Sequence, residues 1–242
     1  MNFPRIHNKG QARIFADPIL ERLSKTRPWV IYCMYIPLSI FMIYYSYTSL
    51  FYSGYLITGI FLSGLICWTL FEYIAHRYLF HFHAESGIGR RLVYIFHGNH
   101  HEYPRDTMRL FMPPVPSIIF ASIVFGLIWG IYRVLTGTGD YALIFFPGFL
   151  MGYLLYVSMH YAIHAFAPPK PFKALWRNHH LHHYKYPDKG FGVSSSFWDL
   201  VFGTLPEANE RPVDNSLNED CAENRPKSET GPTVFRKKGH IH

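Results

Sequence analysis

Charge is what two long stretches of this sequence lack. From Pro28 to Phe71 there is no Asp, Glu, Lys or Arg, and the same holds from Leu110 to Tyr132. Soluble folds rarely do without charge over such lengths, because one face of each element must meet water. A helix crossing the hydrocarbon of a bilayer needs about 20 mostly apolar residues. The first stretch is therefore long enough for two crossings, with a break near Ser53-Gly54, and the second supplies a third. A fourth follows from about Tyr141 to Tyr161, interrupted only by Pro147 and Gly148. Cysteine is scarce as well. Cys33, Cys67 and Cys221 are scattered, two of them inside expected spans, which argues against a disulfide framework and against a cysteine-based zinc site. No internal repeat stands out. No signal peptide is expected, since the first apolar run starts near Trp29, is too long for an h-region and lacks a small-residue cleavage site.

What the chain does hold is apolar and aromatic: 49% of its 242 residues are hydrophobic and 18% aromatic, which points towards lipid. The expected fold class is all-α and integral to the membrane: four transmembrane helices in two hairpins, with a cytoplasmic helical cap. The spans are expected at about 29–51, 55–75, 117–136 and 141–161, and the cap over 76–116 and 162–206. Residues 1–27 form a basic amphipathic lead. From Glu207 the composition turns to Glu, Asn, Asp, Pro, Ser and Lys, so 207–242 is expected to be disordered.

Basic residues in short loops favour the cytoplasmic side. Arg5, Lys9, Arg13, Arg22, Lys25 and Arg27 precede the first span, and Arg77, Arg90, Arg91, Arg105 and Arg109 lie between the second and third. Eleven more follow the fourth, from Lys170 to Lys238, and Arg133 alone falls near the other surface. Both termini are therefore expected in the cytoplasm. The formal charge of +7 flanks the spans instead of forming one stripe, which fits lipid headgroups and not nucleic acid.

Ten of the fifteen histidines fall into four spaced groups at the expected cytoplasmic ends of the spans. They are His76 and His81; His97, His100 and His101; His160 and His164; and His179, His182 and His183. Spacings of three and four share a helix face, so His160 with His164, and His179 with His182 and His183, can each converge on one point. Spacing five puts His76 and His81 roughly 140° apart on an ideal helix, so they share a metal only if the helix ends or distorts between them. Otherwise they serve two metals. Ten imidazoles exceed what one ion takes, and neutral imidazole suits iron, zinc, copper or nickel, so a metal pair is the economical reading. His7, His83, His180, His240 and His242 are left outside the set. An open histidine site at the ends of membrane helices lets an acyl chain arrive from the bilayer while electrons and protons arrive from water. A metal transporter is the alternative from another class, although transport sites lie near the midplane.

The residues around the histidines resemble the fatty acid hydroxylase and sterol desaturase superfamily, and within it the fatty acid 2-hydroxylases that modify sphingolipid acyl chains. The similarity rests on His97-Gly-Asn-His-His-Glu-Tyr-Pro-Arg-Asp106 with Arg109-Leu-Phe-Met-Pro-Pro114, on Gly152-Tyr-Leu-Leu-Tyr156, and on Gly190-Phe-Gly-Val-Ser-Ser-Ser-Phe-Trp198-Asp199-Leu-Val-Phe-Gly-Thr204. It spans roughly residues 55 to 205. The resemblance implies that all ten histidines ligate two iron ions, for which zinc can substitute in a purified sample. It implies hydroxylation at carbon 2 of a fatty acyl chain, free or N-linked in a ceramide-type sphingolipid. Oxygen would be the co-substrate, with electrons from a separate donor of cytochrome b5 or ferredoxin type and its reductase. Tyr156 and Tyr153, one and two turns before His160, are candidate catalytic residues lining the cavity. The chain departs from the pattern at Val157, where eukaryotic relatives usually carry an acid, and in having nothing before Trp29 long enough to fold as a haem domain. The rival within the superfamily is a sterol or carotenoid hydroxylase or desaturase.

Overall fold

Proline and serine set where the long helices begin. In the computed structural model, which describes residues 6–207, α1 (Pro18–Leu23) is capped by Asp17, whose carboxylate accepts from the Ile19 and Leu20 amides at 2.9 Å. The first long helix, α2 (Pro28–Thr48), starts at a proline, whose missing N–H is one that a helix start leaves unpaired anyway. The next, α3 (Gly54–Ile74), is capped by Ser53, whose hydroxyl accepts from the Leu56 amide at 3.3 Å. It runs on as a π-helix, Ala75–Phe80. Short helices α4 (Gly87–Val93) and α5 (Asn99–Glu102) flank a second π-helical turn, Tyr94–Gly98. Then come α6 (Pro114–Thr136), stopped by Gly137 in the left-handed region at φ 78°, α7 (Ala142–Ala165), α8 (Lys173–Tyr184) and α9 (Phe197–Val201). No strand occurs among the described residues.

Four helical stretches are long and apolar enough to cross a membrane: Pro28–Thr48, Gly54–Phe80, Thr107–Thr136 and Ala142–Ala165. The chain is an integral membrane protein. The second and fourth run further than the sequence suggests, past residues 75 and 161, because neutral histidines do not stop a helix whereas Pro168-Pro169 does. His76, His160 and His164 consequently ride on the ends of spanning helices, whereas the expected bounds of 55–75 and 141–161 left His76 and His164 outside. The expected tail beyond Glu207 lies outside the described residues.

Although the chain connects α2 to α3 and α6 to α7, α7 packs most extensively against α3, then α2, and least against α6. More than half of its most apolar window is buried (56%), against none of that of the third span. The α3–α7 crossing is close because glycines face backbone: a Cβ on Gly64 would strike the Phe145 carbonyl, and one on Gly148 would strike the Phe61 carbonyl. Hydrogen bonds tie α2 to its neighbours, Tyr32 with Ser158 at 2.8 Å and Tyr35 with Ser117 at 2.6 Å. At one end of the bundle Tyr52 stacks on Tyr141, joining the two interhelical connections; the histidines gather at the ends of α3 and α7 away from them.

Candidate metal centre

The two π-helical turns decide where the first five histidines point. On the π-helix from Ala75 to Phe80 the ladder bonds run from residue i to i+5, and the His81 amide donates to the His76 carbonyl at 3.3 Å. Residues five apart then share a face, so His76 and His81 meet with ring centroids 5.2 Å apart. This is the distortion that spacing five required. At the second π turn, where the ladder changes register, Asn99 Nδ2 donates to the carbonyls of Tyr94 and Ile95 at 2.9 and 2.8 Å. That fixes the turn carrying His97.

All ten candidate histidines come together, in two groups of five. One is His76, His81, His97, His101 and His182; the other is His100, His160, His164, His179 and His183. Within each group one ring nitrogen per residue lies within 4.8 Å of all the others. Nine are buried and His164 is half-buried. The division follows helix twist. Pairs spaced four apart (His97 and His101, His160 and His164, His179 and His183) stay together. Residues spaced three apart (His97 and His100, His179 and His182) go to different groups. The expectation that His179, His182 and His183 converge on one point is thus corrected: His182 and His183 are about 100° apart on the helix and face opposite centres.

Contacts between Nε2 atoms run inside each group. In the first they join His76 to His97 at 3.1 Å, His97 to His101 at 3.0 Å and His81 to His182 at 3.1 Å. In the second they join His100 to His160 at 2.9 Å, His164 to His179 at 2.9 Å and His179 to His183 at 3.1 Å. A metal holding imidazoles at about 2.0–2.1 Å sets adjacent ligand nitrogens about 2.9 Å apart when they subtend a right angle. The spacing fits one ion per group. Burial, and then the neighbouring imidazoles, push His97, His100, His101, His179, His182 and His183 well below the ordinary histidine pKa, and push His81 down to about 2. Neutral rings keep a lone pair for a metal.

A loop behind the first group orients two of its rings. His76 Nδ1 donates to the Phe191 carbonyl at 2.6 Å and His182 Nδ1 to the Lys189 carbonyl at 2.8 Å, which leaves each Nε2 lone pair facing inward. Two buried carboxylates hold that loop. Asp199 accepts from the Phe191 and Gly192 amides at 2.9 and 2.8 Å, and Glu72 accepts from the Val193 and Ser194 amides at 2.7 and 2.9 Å. Gly190 sits at φ 72°, where a side chain would be strained, and its amide donates to the Thr204 carbonyl at 2.8 Å. Glu72 and Asp199 have no place among the sequence candidates. The available signal was Glu72 itself, the charge that ends the uncharged stretch, one helical turn before His76.

Tyr156 stacks on His160, with ring planes 14° apart, and Trp68 packs beside both Tyr156 and Tyr153. Tyr153 also meets Tyr35 edge-on at 5.9 Å. Val157 is buried in the apolar core with Leu150, Leu154 and Phe111.

Residues 61–204 match the family model described as fatty acid hydroxylase. The chain belongs to the fatty acid hydroxylase family. It is 36% identical over 202 residues to the Arabidopsis thaliana dihydroceramide fatty acyl 2-hydroxylase FAH1, with 83% of each chain covered. It is 37% identical to the ceramide very long chain fatty acid hydroxylase SCS7 of Saccharomyces cerevisiae, covering 83% of this chain but 51% of that one. A solved structure of full-length scs7p, in which only the hydroxylase domain is visible, superposes with a TM-score of 0.75 at 34% identity. The match covers 84% of this chain and 75% of that one. This fatty acid hydroxylase is accordingly an oxidoreductase, and family membership removes the support for a metal transporter.

Proposed function

We propose that the enzyme hydroxylates carbon 2 of a fatty acyl chain, free or N-linked in a ceramide-type sphingolipid, using oxygen and two electrons from a separate donor of cytochrome b5 or ferredoxin type. The observation that carries this reading is the partition of ten histidines into two buried groups of five at the ends of α3 and α7. Two iron ions, one per group, would supply the oxygen chemistry that no side chain can. The ten histidines hold them, His76 and His182 with their rings set by loop carbonyls. Tyr156 and Tyr153, against Trp68, form an aromatic wall beside His160 that positions the acyl chain and excludes water. Burial of the rings keeps them unprotonated, so protons for the reaction come from the aqueous side. The histidine-bearing end faces the cytoplasm, in keeping with the basic residues before α2 and between α3 and α6.

The test is expression in a host lacking 2-hydroxylated lipids, followed by mass spectrometry of hydrolysed acyl chains. Appearance of 2-hydroxy acids, dependent on His100 and His101, supports the proposal. Unchanged acyl chains with altered sterols or carotenoids would overturn it.

A further inference from the structure

Between Lys189 and Glu207 the only charged residue is Asp199, and it is fully buried. This uncharged segment holds α9, whose Phe197, Leu200 and Val201, at spacings of three and four, form one apolar face with 57%, 68% and 53% of each residue uncovered. An exposed apolar face of this kind marks an interaction surface. Its place in the fold says what covers it. Trp198 Nε1 donates to Thr69 Oγ1 at 3.0 Å, and Phe202 stacks on Tyr73 with ring centroids 5.1 Å apart. Both partners belong to the spanning helix α3. We infer that α9, although it follows the last span, sits in the bilayer beside α3 and anchors to the lipid the loop behind the first histidine group.

Depth, neighbours and backbone bonding all carry this. Thr69 lies within the stretch without charge, eight residues before Arg77 and so about 12 Å along the helix from the first cation of that run. Leu62 and Ile66 share a face of α3 with Thr69 and Tyr73, again at spacings of three and four, and both are exposed where the helix crosses the membrane. The apolar face of α9 thus continues a stripe that already meets lipid. In hydrocarbon, backbone polar groups need partners inside the protein. The five amides from Gly190 to Ser194 all have one, in the Thr204 carbonyl, Asp199 or Glu72. Asp199 also accepts from the Thr204 hydroxyl at 2.7 Å, so the one charge of the segment is met from within.

Asp199 ties this anchor to the metal centre. It points inward from α9 to the Phe191 and Gly192 amides, and the Phe191 carbonyl accepts the His76 Nδ1 proton. Seating α9 in lipid therefore holds the carbonyl that orients His76. The face offers no charge for a soluble redox partner to read. The inference rests on the membrane setting and not on the proposed reaction.

The full-length chain, carrying Cys33→Ser, Cys67→Ser and Cys221→Ser, receives one new cysteine for spin labelling and is reconstituted into phosphatidylcholine vesicles. Power-saturation electron paramagnetic resonance then compares access of oxygen, which concentrates in hydrocarbon, with access of a water-soluble nickel chelate. Labels at Leu200→Cys and Val201→Cys are expected to favour oxygen, as one at Ile66→Cys in α3 does, whereas Lys173→Cys in α8 favours the chelate. A ratio matching Lys173→Cys would put α9 in water, and a label closed to both reagents would put it under a protein partner; either result overturns the inference. Leu200→Asp Val201→Asp should expel α9 and speed metal release from the first group about tenfold, with release from the second group unchanged. Release that stays the same, or that changes equally in both groups, would overturn the anchoring. The labelled variants add no charge, so they decide the location of α9 even if the aspartate variant fails to fold.

Discussion

The two histidine groups are built from the same residue type at the same density, yet their surroundings differ. In the first, His76 and His182 each give an Nδ1 proton to a carbonyl of the 189–191 loop, itself held by Glu72 and Asp199. In the second, the Nδ1 atoms of His160, His179 and His183 are buried with no hydrogen-bond partner among the described residues. Partners of this kind fix the tautomer and raise the basicity of a ligating imidazole, and their loss costs roughly 10–100-fold in metal affinity. The comparison teaches that equal ligand counts do not make equal sites: the first group is preorganised from behind, and the second relies on packing.

Removing one histidine from each group at once should have the largest effect. His182→Ala His183→Ala is expected to lose most bound metal and to lower activity by more than about a hundredfold, while membrane insertion persists because both residues follow the last span. Full metal content by elemental analysis would refute the assignment. Next, a stepwise chelation should release metal in two phases, the weaker site being the second group by roughly 10–100-fold. His164→Ala should abolish the early phase; release in a single phase would show the asymmetry to be without consequence.

Glu72→Gln sharpens the same contrast from the other side. Loosening the loop should weaken only the first group, by about tenfold, and so bring the two phases together; an unchanged profile would mean that the Asp199 contacts suffice.

Acidification tests both groups at once. Burial lowers the pKa of histidines in both groups, so below about 6.5, the ordinary value, the unfolded chain binds more protons than the folded one. Stability of the metal-free protein is therefore complete above that value and declines as pH falls from 7 towards 5. A melting temperature flat across this window would contradict the burial of neutral rings.

Much of this was legible in the sequence, for local reasons. Four spans follow from runs without charge, and their helix starts from Pro28, Ser53 and Pro114. Ten clustered histidines pointed to a metal pair, a reading that two buried groups of five fit, and the motifs around His97 and Asp199 pointed to the family. The role of Glu72 was not legible, because its partners Val193 and Ser194 lie far along the chain. Nor was the convergence of His76 and His81, since a π turn is set by what surrounds it and not by a residue preference.

By itself, then, the sequence determined which helices enter the bilayer and which side chains can ligate, because hydropathy and imidazole chemistry belong to the residues themselves. The tertiary structure alone decided which histidines share a centre. Helix twist separates His182 from His183, but only the packing of α3, α7 and α8 places one against His81 and the other against His179. The same packing brings the Thr26 amide within 2.8 Å of the Met108 carbonyl, which their distant positions in the chain could not foretell.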